Sequence, residues 1–160
     1  MLAPYQMKQE QRLVAEVYRF LAPFVDTAKN VYVSLDGQAA EMGVQGGLFE
    51  HPTIPDLWFT FVGAGAPTLL EAKIVDDGRV LVMQSQLQAW RSTGGGAHRP
   101  HAWIAASRGL DTFYYWTHAD FVGRLDGTRA GTPTVLLRVP DQRTEFGHAS
   151  ELALHIIRNA

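Results

Sequence analysis

The stretch 54-IPDLWFTFVGAGAPTLLEAKIV-75 carries the pattern that decides the fold. Residues 57–62 form an apolar and aromatic run that is typical of a buried strand. Residues 63–67 combine glycine, alanine and proline, a composition that favours a turn. Residues 68–75 read as a second strand, and the whole segment therefore predicts a β-hairpin.

The second strand of this hairpin contains two charged residues in an otherwise apolar run. Side chains alternate along a strand, so Glu71 and Lys73 share one face while Ala72 points into the packing on the other. A charge in a central strand is costly without a partner. Asp56 lies at the start of the adjoining strand and is the expected neighbour.

Two carboxylates that face one site repel each other unless a cation lies between them. Mg²⁺ suits such a place, because it accepts one or two carboxylates, a carbonyl and several waters, and leaves positions for phosphate oxygens. Lys73 would add a positive charge that positions a water or stabilises a growing negative charge. The hairpin therefore predicts a divalent-metal site for phosphate chemistry.

The rest of the chain supplies helices and strands in alternating blocks. Apolar spacing predicts helices over 6–21, 81–92, 119–125 and 150–158, and further strands over 30–35, 102–107, 112–116 and 134–139. This order predicts an α/β fold in which a mixed central sheet carries helices on both faces. No linker or repeat interrupts the sequence, so residues 1–160 are expected to form a single domain.

Composition excludes several classes of function. The 160 residues include no cysteine, which rules out disulfides, thiolate metal sites and a thiol nucleophile. Fourteen basic against sixteen acidic residues give a net charge of −2, which excludes a globally basic nucleic-acid binder but permits a local basic stripe. No apolar stretch approaches the ~20 residues of a membrane span, so we expect a cytoplasmic protein with no membrane partner.

The hairpin motif resembles the PD-(D/E)xK nuclease superfamily. Pro55-Asp56 is followed by Glu71-Ala72-Lys73, and then by a helix with glutamines and a glycine cluster at 94–96. The pattern is similar to the virus-type replication-repair nuclease and Holliday-junction-resolvase branches. The likeness covers residues 9–107, and 108–160 have no counterpart in it.

The resemblance implies a restriction-endonuclease-like αβββαβ core and a metal-dependent endonuclease that cuts DNA, with branched DNA as a candidate substrate. It implies that Asp56, Glu71 and the Ala72 carbonyl hold Mg²⁺ or Mn²⁺, and that Lys73 orients or activates water. A homodimer is implied by the resemblance alone. A helical glutamine is expected to support the site: Gln86 is preferred, with Gln84 as the alternative.

Members of these families often add a glutamate from the first helix. At 100° per residue, Glu10 falls within the arc formed by Leu13, Val17 and Leu21, whereas Glu16 falls outside it. Glu10 is therefore the expected additional catalytic and metal-binding acid. A solvated first helical turn is the alternative interpretation.

Several arginines surround the predicted site in sequence and are candidates for contacts to nucleic-acid phosphates. They are Arg79, Arg91, Arg99 and Arg108. Each is also compatible with an ordinary solvated side chain.

Three other interpretations compete with the nuclease. Asp56 can be a turn residue, with Glu71 and Lys73 pairing on an edge strand. The fold can also serve non-catalytic binding of nucleic acid or protein. A metal-free ribonuclease would instead use His98 or His101, which otherwise are loop histidines.

Overall fold

The computed structural model describes residues 4–34, 56–83, 100–128, 134–138 and 145–160. The helices are α1 (Pro4–Leu21), a short 3-10 helix (Ala22–Phe24), α2 (His118–Gly123) and α3 (Ala149–Arg158). The strands are β1 (Tyr32–Val33), β2 (Leu57–Phe59), β3 (Thr68–Ile74), β4 (Arg79–Met83), β5 (Ala102–Ala106), β6 (Phe113–Thr117), β7 (Leu125–Thr128), β8 (Thr134–Arg138) and β9 (Glu145–Phe146). The prediction of a mixed α/β fold is confirmed.

Six of the strands form one mixed sheet in the order β1-β2-β3-β5-β6-β9. The neighbours pair antiparallel except β3 and β5, which run parallel. Strand β3 therefore has a partner on each side, as its apolar composition predicted. The hairpin of β2 and β3 is also confirmed, with Leu57 opposite Leu70.

Helices α1 and α3 cover one face of this sheet. The stripe of Leu13, Val17 and Leu21 on α1 is fully buried, and it belongs to a core that includes Ala72 of β3. Helix α3 packs beside α1 and contributes Leu152 to the same core. The two helices come from opposite ends of the chain, and burial of their apolar surfaces stabilises their packing on this face of the sheet.

A second, smaller core lies on the opposite face. Trp103 of β5 stacks on Phe121 of α2, with ring centroids 3.9 Å apart and planes 3° from parallel. Val80 and Val82 of β4 complete this core from a separate three-stranded sheet with the order β4-β8-β7. Helices therefore lie on both faces of the main sheet, as the sequence predicted.

The helix predicted over 81–92 is wrong at its start. Residues 81–83 belong to strand β4, which pairs antiparallel with β8. Asp77 and Gly78 both have positive φ, at 52° and 69°, and reverse the chain in a tight turn directly after β3. Val80 and Val82 then alternate inward with the period of a strand. Residues 84–92 lie outside the described residues.

Most other predicted elements are confirmed with small changes at their ends. The helices expected over 6–21, 119–125 and 150–158 correspond to α1, α2 and α3. Sequence analysis did not predict β7 and β9, which are short and depend on distant partners. Within the described residues, none of the helices has both the length and the apolar character that crossing a membrane requires.

The position of α3 in the shared core leads to a stability prediction. Leu152→Ala should lower the free energy of unfolding by about 2–5 kcal/mol, because the leucine is completely buried. Leu154→Ala on the same helix is the control, since Leu154 is 46% exposed and should change stability by less than about 1 kcal/mol. Urea unfolding measures both variants. Equal effects would show that α3 does not pack as described.

Candidate functional site

The β2–β3 hairpin brings Asp56 next to Glu71. Leu57 pairs with Leu70, so Asp56 and Glu71 occupy the next opposing positions of the antiparallel ladder. The Asp56 Oδ2 atom accepts a hydrogen bond of 2.9 Å from the Ala72 backbone N–H. The Asp56 carbonyl accepts another, of 2.8 Å, from the Ser34 N–H. Asp56 is therefore held from the strands on both sides of it.

Glu71 and Lys73 point to the face of β3 opposite Ala72, as predicted. Both are buried, at 5% and 4% exposure, and Lys73 Nζ lies 3.9 Å from Glu71 Oε1. The alternative of a pair on an edge strand is wrong, because β3 is paired on both sides. A buried acid and a buried base in a central strand require compensating interactions.

Glu10 of α1 joins this group, as its place on the helical arc predicted. Burial raises the pKa of Glu10 to about 8, with Lys73 lowering it and Asp56 raising it. The electrostatic influence of both residues places Glu10 near the hairpin acids. Glu16, the rejected alternative, instead forms a surface ion pair of 3.8 Å with Arg19.

The surroundings of Glu71 disfavour its ionised form. Burial raises the pKa of Glu71 well above its usual range, and the neighbouring Asp56 carboxylate raises it further. A hydrogen bond between the Glu71 and Asp56 side chains adds to this rise, and it requires a proton on one of the two carboxyl groups. Without a cation, a proton reduces the repulsion between these acids.

The charges of this site fit a divalent cation. Among the described residues, the carboxylates of Glu10, Asp56 and Glu71 influence one another and Lys73 provides one ammonium, so full ionisation would leave two negative charges in excess. In the part of the chain that the structure describes, no three His, Asp or Glu side chains come together as a ready-made metal cluster. Mg²⁺ does not require one, because one or two carboxylates with water and substrate oxygens suffice. Asp56 and Glu71 would be the carboxylates of such a pair.

Trp103 and His118 complete the surroundings of Lys73. The Lys73 Nζ lies 6.0 Å from the centre of the Trp103 ring, at the outer limit of a cation–π contact. The Trp103 indole N–H donates a hydrogen bond of 3.1 Å to His118 Nδ1. Trp103 is fully buried and belongs to the smaller core on this face of the sheet. Its place opposite Glu71 follows from the parallel β3–β5 register, for which the sequence carries no local signal.

The remaining predicted site residues are only partly described. Arg79 is the first residue of β4, immediately after the turn that follows β3. The other candidates, namely Gln84, Gln86, Arg91, Arg99 and His98, lie outside the described residues. His101 accepts a hydrogen bond of 3.3 Å at Nδ1 from the Leu69 N–H, which agrees with a structural role beside β3.

Neither a scan against protein-family models nor a search of curated proteins found a match to this chain. The resemblance to the nuclease superfamily therefore rests on the hairpin residues and on the glutamines and glycine cluster that follow them in the sequence.

The raised pKa of Glu10 predicts how stability depends on pH. Between the usual glutamate value of 4.5 and about 8, folded Glu10 retains a proton that the unfolded chain releases. The free energy of unfolding of protein in EDTA should therefore fall as pH rises through this range. Glu10→Gln should reduce that slope, because glutamine cannot ionise against Asp56, Glu71 and Lys73.

Glu16→Gln on the same helix is the matched control and should leave the pH dependence unchanged. Urea unfolding at several pH values between 5 and 8 measures all three proteins. An unchanged slope in Glu10→Gln would show that Glu10 is not buried against this site.

Proposed function

We propose that this protein is a divalent-metal-dependent endonuclease that hydrolyses DNA phosphodiester bonds. The observation that carries the proposal is the meeting of Asp56 and Glu71 from adjacent strands beside the buried Lys73. An arrangement made only for stability would favour apolar residues in a central strand, because replacing a buried ion pair with packed apolar groups is often neutral or stabilising. Retention of these groups supports a chemical role.

Asp56 and Glu71 would hold the metal, with the Ala72 carbonyl as a further ligand and Glu10 assisting. A bound Mg²⁺ or Mn²⁺ supplies Lewis-acid polarisation of a phosphoryl oxygen and lowers the pKa of a bound water. The backbone hydrogen bond from Ala72 orients the Asp56 carboxylate. Only the Oδ2 atom of Asp56 accepts this bond from Ala72.

Lys73 would act on the attacking water or on the charge that develops on the phosphate. Its ammonium is held beside Glu71 and above the Trp103 ring, so its position is restricted before substrate binds. Fixed positive charge at the place where negative charge grows is an effective way to lower a barrier. Branched DNA as the substrate, a supporting Gln86 and a homodimer remain parts of the proposal that rest on the resemblance.

A cleavage assay tests the proposal directly. Plasmid DNA and four-way junctions are incubated with the protein in Mg²⁺, Mn²⁺ or EDTA. We expect cleavage with either metal and none in EDTA. Asp56→Asn and Lys73→Met should each lower the cleavage rate by about 100-fold or more, because the first weakens the metal site and the second removes the positive charge beside the reacting phosphate.

Matched surface variants control for these changes. Asp120→Asn alters an exposed acid of α2, and Lys29→Met alters an exposed lysine, so both should retain the wild-type rate. Asparagine at 56 can still accept the hydrogen bond from Ala72, so the fold should be retained. Cleavage that persists in EDTA, or in both site variants, would eliminate this mechanism.

A second candidate is a non-catalytic domain that binds nucleic acid or protein. The observation that favours it is the lack of a ready-made cluster of three metal ligands among the described residues. Calorimetric titration with Mn²⁺ separates the two functions. The nuclease should bind Mn²⁺ and lose that binding in Asp56→Asn, whereas a binding-only domain should give no signal that depends on Asp56 or Glu71.

A further inference from the structure

Three parts of the chain meet next to the C-terminal end of β3, which lies just after Lys73. The turn at 76–79 leads from β3 to β4, the turn at 107–112 joins β5 to β6, and α1 begins beside them. Asp76, Arg108 and Gln9 connect these three parts through their hydrogen bonds. Arg108 is the central member of the group.

The turn at 107–112 holds its backbone in a fixed shape. The Ser107 hydroxyl accepts hydrogen bonds from the backbone N–H groups of Asp111 and Thr112, at 3.2 and 3.1 Å, and donates one to the Asp111 carboxylate. Leu110 adopts a positive φ of 56°, which is unusual for a residue other than glycine, asparagine or aspartate. Such a conformation persists when the surrounding structure enforces it.

Gln9 anchors the same turn to α1. Its Nε2 donates a hydrogen bond of 2.7 Å to the Arg108 carbonyl, across 99 positions of sequence. Gln9 is only 5% exposed and precedes Glu10 directly, so the contact joins the turn to the helix that carries the site acid. The anchor uses the backbone carbonyl of Arg108 rather than its guanidinium.

The guanidinium of Arg108 lies beside the turn that follows β3. Its Nη2 lies 2.8 Å from Asp76 Oδ1, and its side chain is 52% exposed. Asp76 comes three residues after Lys73, a separation of about 10 Å along an extended strand. One nucleic-acid strand rises about 3.4 Å per nucleotide, so about three nucleotides span that separation.

Two other arginine positions lie at this edge. Arg79 exchanges backbone hydrogen bonds of 2.8 and 3.0 Å with Asp76 across the turn. Arg138 is the register partner of Arg79 in the second sheet. Acidic groups also lie here: Asp76 pairs with Arg108, Asp111 accepts a hydrogen bond from Ser107, and Asp77 is exposed in the turn.

We propose that Arg108 binds a backbone phosphate of the nucleic-acid substrate. This phosphate would lie about three nucleotides from the phosphodiester bond that is cleaved beside Asp56, Glu71 and Lys73. This inference rests on the proposed function and extends it to the part of the chain beyond residue 107. A planar guanidinium has five N–H donors, so Arg108 can bind a phosphate while Asp76 orients it. The exposed ion pair with Asp76 contributes little to stability by itself.

Fluorescence anisotropy in EDTA tests this contact without cleavage. Fluorescein-labelled duplex DNA and a labelled four-way junction are titrated at several salt concentrations. Arg108→Ala should weaken binding by about tenfold at low salt, the effect of one charge-assisted hydrogen bond. It should also reduce the slope of log affinity against log salt by about 1, the signature of one lost phosphate contact.

Arg158→Ala is the matched control. Arg158 is an exposed arginine at the end of α3. This end of the helix lies near residues 64–67, which precede β3, whereas Arg108 lies beside the turn that follows β3. Its removal should change neither affinity nor slope. Arg108→Lys should give an intermediate loss, because lysine retains the charge but cannot bridge Asp76 and a phosphate in one plane. Thermal unfolding confirms that each variant is folded.

The outcomes separate the phosphate contact from the nuclease activity. Equal affinities and slopes for Arg108→Ala and Arg158→Ala would overturn the inference, while cleavage by the wild-type protein would still support the proposed function. A wild-type protein that neither binds nor cuts DNA would overturn both. A loss confined to Arg108→Ala and partly recovered in Arg108→Lys would support the phosphate contact.

Discussion

The burial of Glu71 and Lys73 in a strand paired on both sides is the constraint on which the site depends. Little solvent reaches these groups, so the protein must supply other partners. Asp56 reaches Glu71 because it starts the antiparallel neighbour of β3, and Trp103 lies beside Glu71 because β5 is the parallel neighbour. The order of strands in the sheet thus determines the chemistry of the site.

The acids of the site are arranged for a positive charge that one lysine does not fully provide. Burial and mutual repulsion raise the pKa values of Glu10 and Glu71, so these groups retain protons in the absence of another cation. A divalent ion would take the place of those protons and couple binding to proton release. The same electrostatics that raises these pKa values underlies the proposal of a metal at this site.

The last third of the chain is part of this architecture rather than an addition to it. Strand β6 pairs with β5, and α3 packs beside α1 over the same core. Through the turn between β5 and β6, Arg108 contacts both α1 and the turn that follows β3. Residues 108–160 have no counterpart in the nuclease resemblance, yet they help to hold the elements of the candidate site in place. This follows because a sheet and the helices that cover it pack around a common core.

The sequence by itself determined the features that depend on near neighbours. Alternation along 68–75 placed Glu71 and Lys73 on one face, the short turn brought Asp56 beside them, and helical spacing turned Glu10 inward. Only the tertiary structure decided that 81–83 form a strand, because β8 supplies its hydrogen-bonding partner from 134–138. It alone also brought Gln9 to Arg108 and Trp103 to Lys73, since contacts between distant segments follow from strand register and layer packing, which no local pattern records.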